Sequence, residues 1–171
     1  MGNCGELCIF ALKEYFFITE IGMRFYGTIE AKADAKGRIF LPSAFRKILA
    51  AESQERLYMR KDAFQDCLVL YPEKVWNEQV DLLCSRVNRY NKQHQQVLRQ
   101  FLADVEELTL DSNGRFLVPK RYMAMAGIKQ EVEFLGFNDT IEIWAKEKRE
   151  MPFMDNEDFS NELQSLMADN Y

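Results

Sequence analysis

One nine-residue stretch occurs twice in this chain, and no other feature restricts the fold as much. Asp34-Ala35-Lys36-Gly37-Arg38-Ile39-Phe40-Leu41-Pro42 returns as Asp111-Ser112-Asn113-Gly114-Arg115-Phe116-Leu117-Val118-Pro119, 77 residues further on. Asp, Gly, Arg and Pro are kept, and the positions between Arg and Pro stay apolar. The match continues downstream, where Phe45 aligns with Tyr122 and Ile48 with Met125. Further on, Cys67-Leu68-Val69-Leu70-Tyr71 resembles Thr140-Ile141-Glu142-Ile143-Trp144. A single Asp-x-x-Gly-Arg would mean little, but two copies with the same Pro and the same flanks describe one supersecondary unit of roughly 50 residues used twice.

Each copy can be read locally. Residues 26–33 predict a strand with Thr28, Glu30 and Lys32 on one face and Gly27, Ile29 and Ala31 on the other. Asp34 to Gly37 predicts a turn, because Asp can hydrogen-bond the backbone ahead of it and Gly accepts positive φ. Residues 38–41 form the return strand. Pro42 suits the first turn of a short helix over 43–49, where its missing N–H costs nothing. Strands follow at 57–59 and 68–71. The second copy predicts strands at 105–110 and 115–118, a turn at 111–114, a helix over 120–126 stopped by Gly127, and strands at 131–136 and 140–144.

The copies are separated by a helical pair. Pro72-Glu73 starts the first helix, and Val75, Trp76, Val80, Leu83 and Val87 give it one apolar face. Residues 88–91 break it, and 93–102 resume with Val97, Leu98, Phe101 and Leu102. The acidic tail from Met151 is compatible with a short helix over 161–167 or with disorder. Residues 1–22 differ in character and are expected to be an extension ahead of a domain opening near Met23. The expected organisation is therefore an extension (1–22), repeat one (23–73), linking helices (74–102), repeat two (103–146) and an acidic tail (147–171).

Composition narrows the function classes. The 171 residues carry 22 Lys+Arg and 27 Asp+Glu, a net charge of −5 that excludes an indiscriminately basic nucleic-acid binder. The distribution is uneven: residues 23–101 hold 14 basic and 9 acidic side chains, whereas residues 147–171 hold 2 and 7. The longest uninterrupted apolar run, Leu7 to Leu12, is far too short for a membrane span. The first 22 residues lack a basic start and carry Lys13-Glu14 within their apolar part, unlike an export signal. Cys4, Cys8, Cys67 and Cys84 form no Cys-x-x-Cys pair, and the only histidine, His94, is distant from all four. That spacing suits free thiols in a reducing cytosol rather than a metal site. No Ser/His or Cys/His pairing, Gly-rich phosphate loop or cofactor motif stands out, so neither catalysis nor a cofactor is expected.

Phe25-Tyr26-Gly27-Thr28, followed by the Asp-x-Lys-Gly-Arg-x-x-x-Pro run and its second copy at Asp111 to Arg115, resembles the MraZ family over about residues 23–150. The resemblance implies an α+β fold of the AbrB/SpoVT swapped-hairpin type, in which two hairpin units interleave into a compact barrel-like body with pseudo-two-fold symmetry. It implies a cytoplasmic, nucleoid-associated repressor. Such a protein binds direct repeats in double-stranded promoter DNA upstream of its own division and cell-wall operon. The resemblance also implies assembly of the chain with itself into a ring of about eight subunits. No membrane or small-molecule substrate is implied.

On this resemblance Lys36, Arg38 and Arg115 are the DNA contacts, and Gly37 and Gly114 let the backbone approach. Arg can pair bidentately with phosphate or guanine, while Lys acts as a point charge. Asp34 and Asp111 are anionic and read as buttresses that cap the turns and hold the Arg side chains. Asn113 stands where copy one has Lys36, so the second turn is expected to grip phosphate less well, with DNA held mainly by copy one. Arg24, Lys32, Arg46 and Lys47 could add backbone contacts but read more simply as solvated charges. The alternative is an antitoxin-like DNA-binding module whose acidic tail holds a partner protein.

Overall fold

The structure, a computed structural model, describes residues 22–150 and 153–168. The extension expected over 1–22 lies almost entirely outside the described residues, as do Cys4 and Cys8. In chain order the elements are β1 (Thr28–Lys32), β2 (Arg38–Phe40), α1 (Ser43–Ala51), β3 (Arg56–Lys61), β4 (Leu68–Pro72), α2 (Glu73–Arg86) and α3 (Lys92–Ala103). They continue with β5 (Glu106–Thr109), β6 (Arg115–Leu117), α4 (Lys120–Ala126), β7 (Glu131–Phe137), β8 (Thr140–Ala145), a single 3-10 turn (Lys146–Lys148) and α5 (Asn156–Ala168). The fold is thus α+β, as the sequence indicates.

Strand pairing exchanges parts between the copies. A six-stranded antiparallel sheet runs in the order β1-β7-β8-β4-β3-β5, and β2 pairs only with β6. The hairpins β3–β4 and β7–β8 meet along β4 and β8. The first strand of each copy crosses to the hairpin of the other: β1 lies against β7 and β5 against β3. Just beyond β1, Ala33 forms an isolated bridge to Ile39 of β2. Among the described residues the sheet does not close into a barrel. β1 and β5 are its two edges, and the three-residue strands β2 and β6 bond to each other rather than to those edges.

Strand alternation sorts the side chains into two layers. Leu57, Met59, Leu68, Leu70, Val132, Phe134, Ile141 and Ile143 point to one face and form the main core with Ile39 and Phe116 of the β2–β6 pair, Phe45 and Leu49 of α1, and Tyr122 and Ala126 of α4. Phe45 and Tyr122, matched by the repeat, are 1% and 0% exposed, so both copies plug the same core with an aromatic ring. β4 and β8 are central and buried on both faces, which explains their near-continuous apolar runs. On the opposite face Trp76 stacks on Phe101 at 5.3 Å and on Tyr58 at 5.6 Å, and the Arg60 guanidinium lies 4.2 Å from the Phe101 ring. This cluster fastens α2 and α3 to the back of β3–β4. Cys67 is buried there beside Val69 and Trp144, and burial pushes its thiol well above the usual range, so it packs as an apolar residue.

Helix ends follow local chemistry. Pro42 and Pro119 sit at the N-caps of α1 and α4, one position outside the first turn in which Pro42 was expected. Gly127 stops α4 with φ of 69°. Asn91 caps α3, its side chain accepting from the N–H of Gln93 and of His94. His94 in turn accepts from the Asn88 N–H at 3.0 Å and so shapes the break between α2 and α3. The tail forms α5, longer than the 161–167 expected, and every one of its residues is exposed. Among the described residues no helix is long and apolar enough to cross a membrane.

Candidate nucleic-acid interface

The two Asp-x-x-Gly-Arg segments fold into the same turn. Asp34 accepts through Oδ1 from the N–H of Lys36 and of Arg38, both at 2.9 Å, and through Oδ2 from Arg38 Nε at 2.7 Å. Asp111 accepts through Oδ1 from Asn113 and Arg115, both at 2.9 Å, and through Oδ2 from Arg115 Nε at 2.8 Å. Each carboxylate therefore caps its turn and orients its Arg. The backbone N–H of Arg38, together with its side chain and charge, holds the Asp34 carboxyl below its usual range, and Arg115 acts likewise on Asp111. Because each ion pair runs through Nε, the two terminal nitrogens of each guanidinium remain for another acceptor.

The glycines answer two demands at once. Gly37 and Gly114 have φ of 84° and 78°, where other residues are strained. Their carbonyls also join the two copies: Gly37 C=O accepts from the Val118 N–H at 2.9 Å, and Gly114 C=O accepts from the Leu41 N–H at 3.0 Å. Each turn is thus laid against the strand exit of the other copy, and the two turns flank the β2–β6 ribbon from opposite ends.

The ribbon has a buried face and an open face. Ile39 and Phe116 point into the core, whereas Phe40 and Leu117 are 54% and 51% exposed. Arg38 lies opposite Leu117 and Arg115 opposite Phe40, so Arg38, Phe40, Arg115 and Leu117 share the outward face. The two Arg Cα positions are two residues apart along the ribbon and on neighbouring strands, about 8 Å by strand geometry. The Arg115 guanidinium stands 5.5 Å from the Phe40 ring. Lys36 and Asn113 are exposed on the turns, and Gly37 and Gly114 are buried beneath them. The outward positions of Phe40 and Leu117 follow from the period-two alternation that each shares with the Arg of its own strand.

The accessory cations separate. Lys32 is paired with Glu131 at 2.8 Å on the sheet edge, and Arg24 and Lys47 are exposed outside the ribbon. Arg46 is different. It is half-buried, its Nε donates to the Leu41 carbonyl at 3.1 Å, and its guanidinium lies against Gly114 of the second turn. Among the described residues no group of three or more His, Cys, Asp or Glu side chains is arranged to hold a metal.

The profile of the family described as MraZ protein, antitoxin-like, matches residues 24–100 and 101–166. The two segments begin 77 residues apart, the offset of the repeat. The chain is 60% identical over 148 residues to the transcriptional regulator MraZ of Phocaeicola vulgatus, covering 86% of this chain and 96% of that protein. It is 56% identical over 147 residues to the transcriptional regulator MraZ of Bacteroides thetaiotaomicron, covering 86% and 94%. The protein of the same name in Pectobacterium carotovorum is 30% identical over 145 residues, covering 85% and 95%.

Proposed function

This chain belongs to the MraZ family, and from that premise we propose that it is a transcriptional regulator that binds double-stranded promoter DNA through the outward face of the β2–β6 ribbon and its two flanking turns. The observation that carries the reading is the repeated, oriented Arg. Two guanidiniums are each held by an Asp through Nε, with their terminal nitrogens left for another acceptor, on residues whose Cα positions are about 8 Å apart on an exposed two-stranded ribbon. A ribbon of this width fits the major groove, where Arg reads guanine O6 and N7 bidentately. Lys36 adds a point charge to the backbone. The interchange of β1, β2, β5 and β6 between copies supports a swapped-hairpin architecture, with 23–73 and 103–146 as its two halves, 74–102 as the connection and 147–171 as a tail.

The regulator acts in the cytoplasm, on the nucleoid, and represses its own operon by engaging direct repeats as a ring. Affinity argues for the assembly. One protomer offers few cations, and each phosphate neutralised adds only about 0.9 to the salt slope. Several protomers on adjacent repeats gain through effective concentration. The test is a gel shift on the DNA directly upstream of the gene at several salt concentrations, for the wild type and for Arg38→Ala. We expect binding that weakens with salt, and a loss of about 1–3 kcal/mol per protomer in the variant. No wild-type shift at low salt overturns the proposal.

A second reading is an antitoxin-like module that holds a partner protein by its tail. It draws on the family's description and on α5, which is acidic and exposes Phe159 and Leu163. It requires removal of residues 155–171 to change repression in the cell when the partner is present; unchanged repression sinks it.

A further inference from the structure

The two turns are not equally furnished by their own sequence. Turn one carries Lys36 beside Arg38, whereas turn two carries Asn113 beside Arg115. The repeat alone therefore makes the second turn the weaker of the two. The tertiary structure alters that balance. Position 46 in the first copy corresponds to position 123 in the second, by the same offset of 77. These two side chains each cross to the turn of the other copy. Met123 lies against Gly37, its Sδ 3.3 Å from where a Cβ would stand, and Arg46 lies against Gly114, its Cζ 2.7 Å from the corresponding point.

Turn one thus has an internal cation and Met123 against its glycine, with Lys120 and Lys129 lining the hollow beside it, and turn two has a neutral Asn and the cationic Arg46 against its glycine. Arg46 is not a freely solvated side chain. It is half-buried, its Nε donates to the Leu41 carbonyl, and it forms no ion pair with any described residue. A partly desolvated guanidinium without a carboxylate, with one edge fixed by a backbone carbonyl, attracts an anion.

We infer that Arg46 is a DNA-backbone contact of the second turn, supplying across the pseudo-dyad the charge that Lys36 supplies within the first. Each turn then has a second cation beside its braced Arg, Lys36 with Arg38 and Arg46 with Arg115. The inference rests on the proposed DNA-binding function and assigns a phosphate-binding role to a helix residue outside both motifs.

The test measures the salt dependence of binding of the full-length chain to its own upstream duplex. Arg46→Met gives turn two the neighbour that turn one has, and Arg46→Met with Asn113→Lys then restores the cation inside the turn. In the single variant the slope of log K against log salt should become shallower by about 0.9 per bound protomer, so the loss of affinity between about 50 and 200 mM salt should be smaller by a factor of about 3.5 per contact removed. The double variant should recover the wild-type slope. Arg46→Lys, which keeps the charge but not the planar fork held by Leu41, should keep the slope. An unchanged slope in Arg46→Met overturns the inference. So does an Arg46→Lys slope that falls as far as that of Arg46→Met, because Arg46 would then be only a prop for the turn. Failure of the double variant to recover, with its melting temperature preserved, overturns it as well. If the wild type itself fails to bind, the parent reading fails; if Arg38→Ala weakens binding and Arg46→Met leaves the slope intact, only this inference fails.

Discussion

At the scale of single residues, Asp34 and Asp111 each satisfy two backbone N–H groups and one guanidinium with a single carboxylate. That work depends on ionisation. Both carboxyls titrate below the ordinary value of 3.8 in the folded chain, chiefly through the backbone N–H of Arg38 and Arg115. Folding therefore favours the ionised form, and the stabilisation is present above pH 3.8 and is lost as pH falls through the lower folded value. Thermal melts of the wild type and of Asp34→Asn should differ at pH 6 to 7, and the gap should close in acid. A gap that widened in acid would contradict this account.

The two glycines share a backbone conformation but not a neighbourhood. An alanine Cβ at Gly37 would meet the Val118 carbonyl oxygen at 2.7 Å, a backbone atom that the cross-copy hydrogen bonding holds in place. At Gly114 its three nearest neighbours would all belong to the Arg46 side chain, which can swing away. Both substitutions carry left-handed strain of about 1–2 kcal/mol. Gly37→Ala should therefore lower the denaturation midpoint clearly more than Gly114→Ala. Equal losses would mean that strain in φ alone decides the outcome.

At the scale of elements, most boundaries were readable in the sequence because their causes are local. The turns follow from Asp and Gly, the end of α4 from Gly127, and the break between α2 and α3 from residues 88–91. The strands at 68–71 and 140–144 are legible in the sequence, but only the sheet order, which makes β4 and β8 central, explains why both of their faces are buried. The helical pair depends on a less local device, the Tyr58–Trp76–Phe101 stack capped by Arg60. Trp76 is 6% exposed, and Trp76→Ala should cost about 3–5 kcal/mol in chemical denaturation. The ribbon lies on the other side of the sheet, so where Trp76→Ala remains folded its DNA affinity should be close to wild type.

At the scale of the whole molecule, the sheet separates the helical pair on one face from the core, the ribbon and the two turns on the other. The net charge of −5 is compatible with a DNA partner because the contact charge is local. Acidic α5 lies elsewhere in the sequence, and the acidic groups of the two turns, Asp34 and Asp111, are each paired with an Arg. If assembly multiplies weak protomer contacts, a duplex with several direct repeats should bind about 10²- to 10⁴-fold more tightly than one with a single repeat. Titrations of the two duplexes at equal salt measure this directly. Equal affinities would mean that one protomer suffices.

The sequence by itself determined that two equivalent units exist, where their strands and helices fall, and that each carries an Asp-braced Arg beside a glycine, because those properties arise within a few bonds of the residues concerned. Only the tertiary structure decided that β2 pairs with β6 and β1 with β7, that Phe40 and Leu117 join the two Arg side chains on the open face, and that Arg46 attends the second turn. Partner choice among strands is set by which register buries the whole core at once, so it is a property of all the residues together. The reach of Arg46 across the pseudo-dyad exists only after that choice is made.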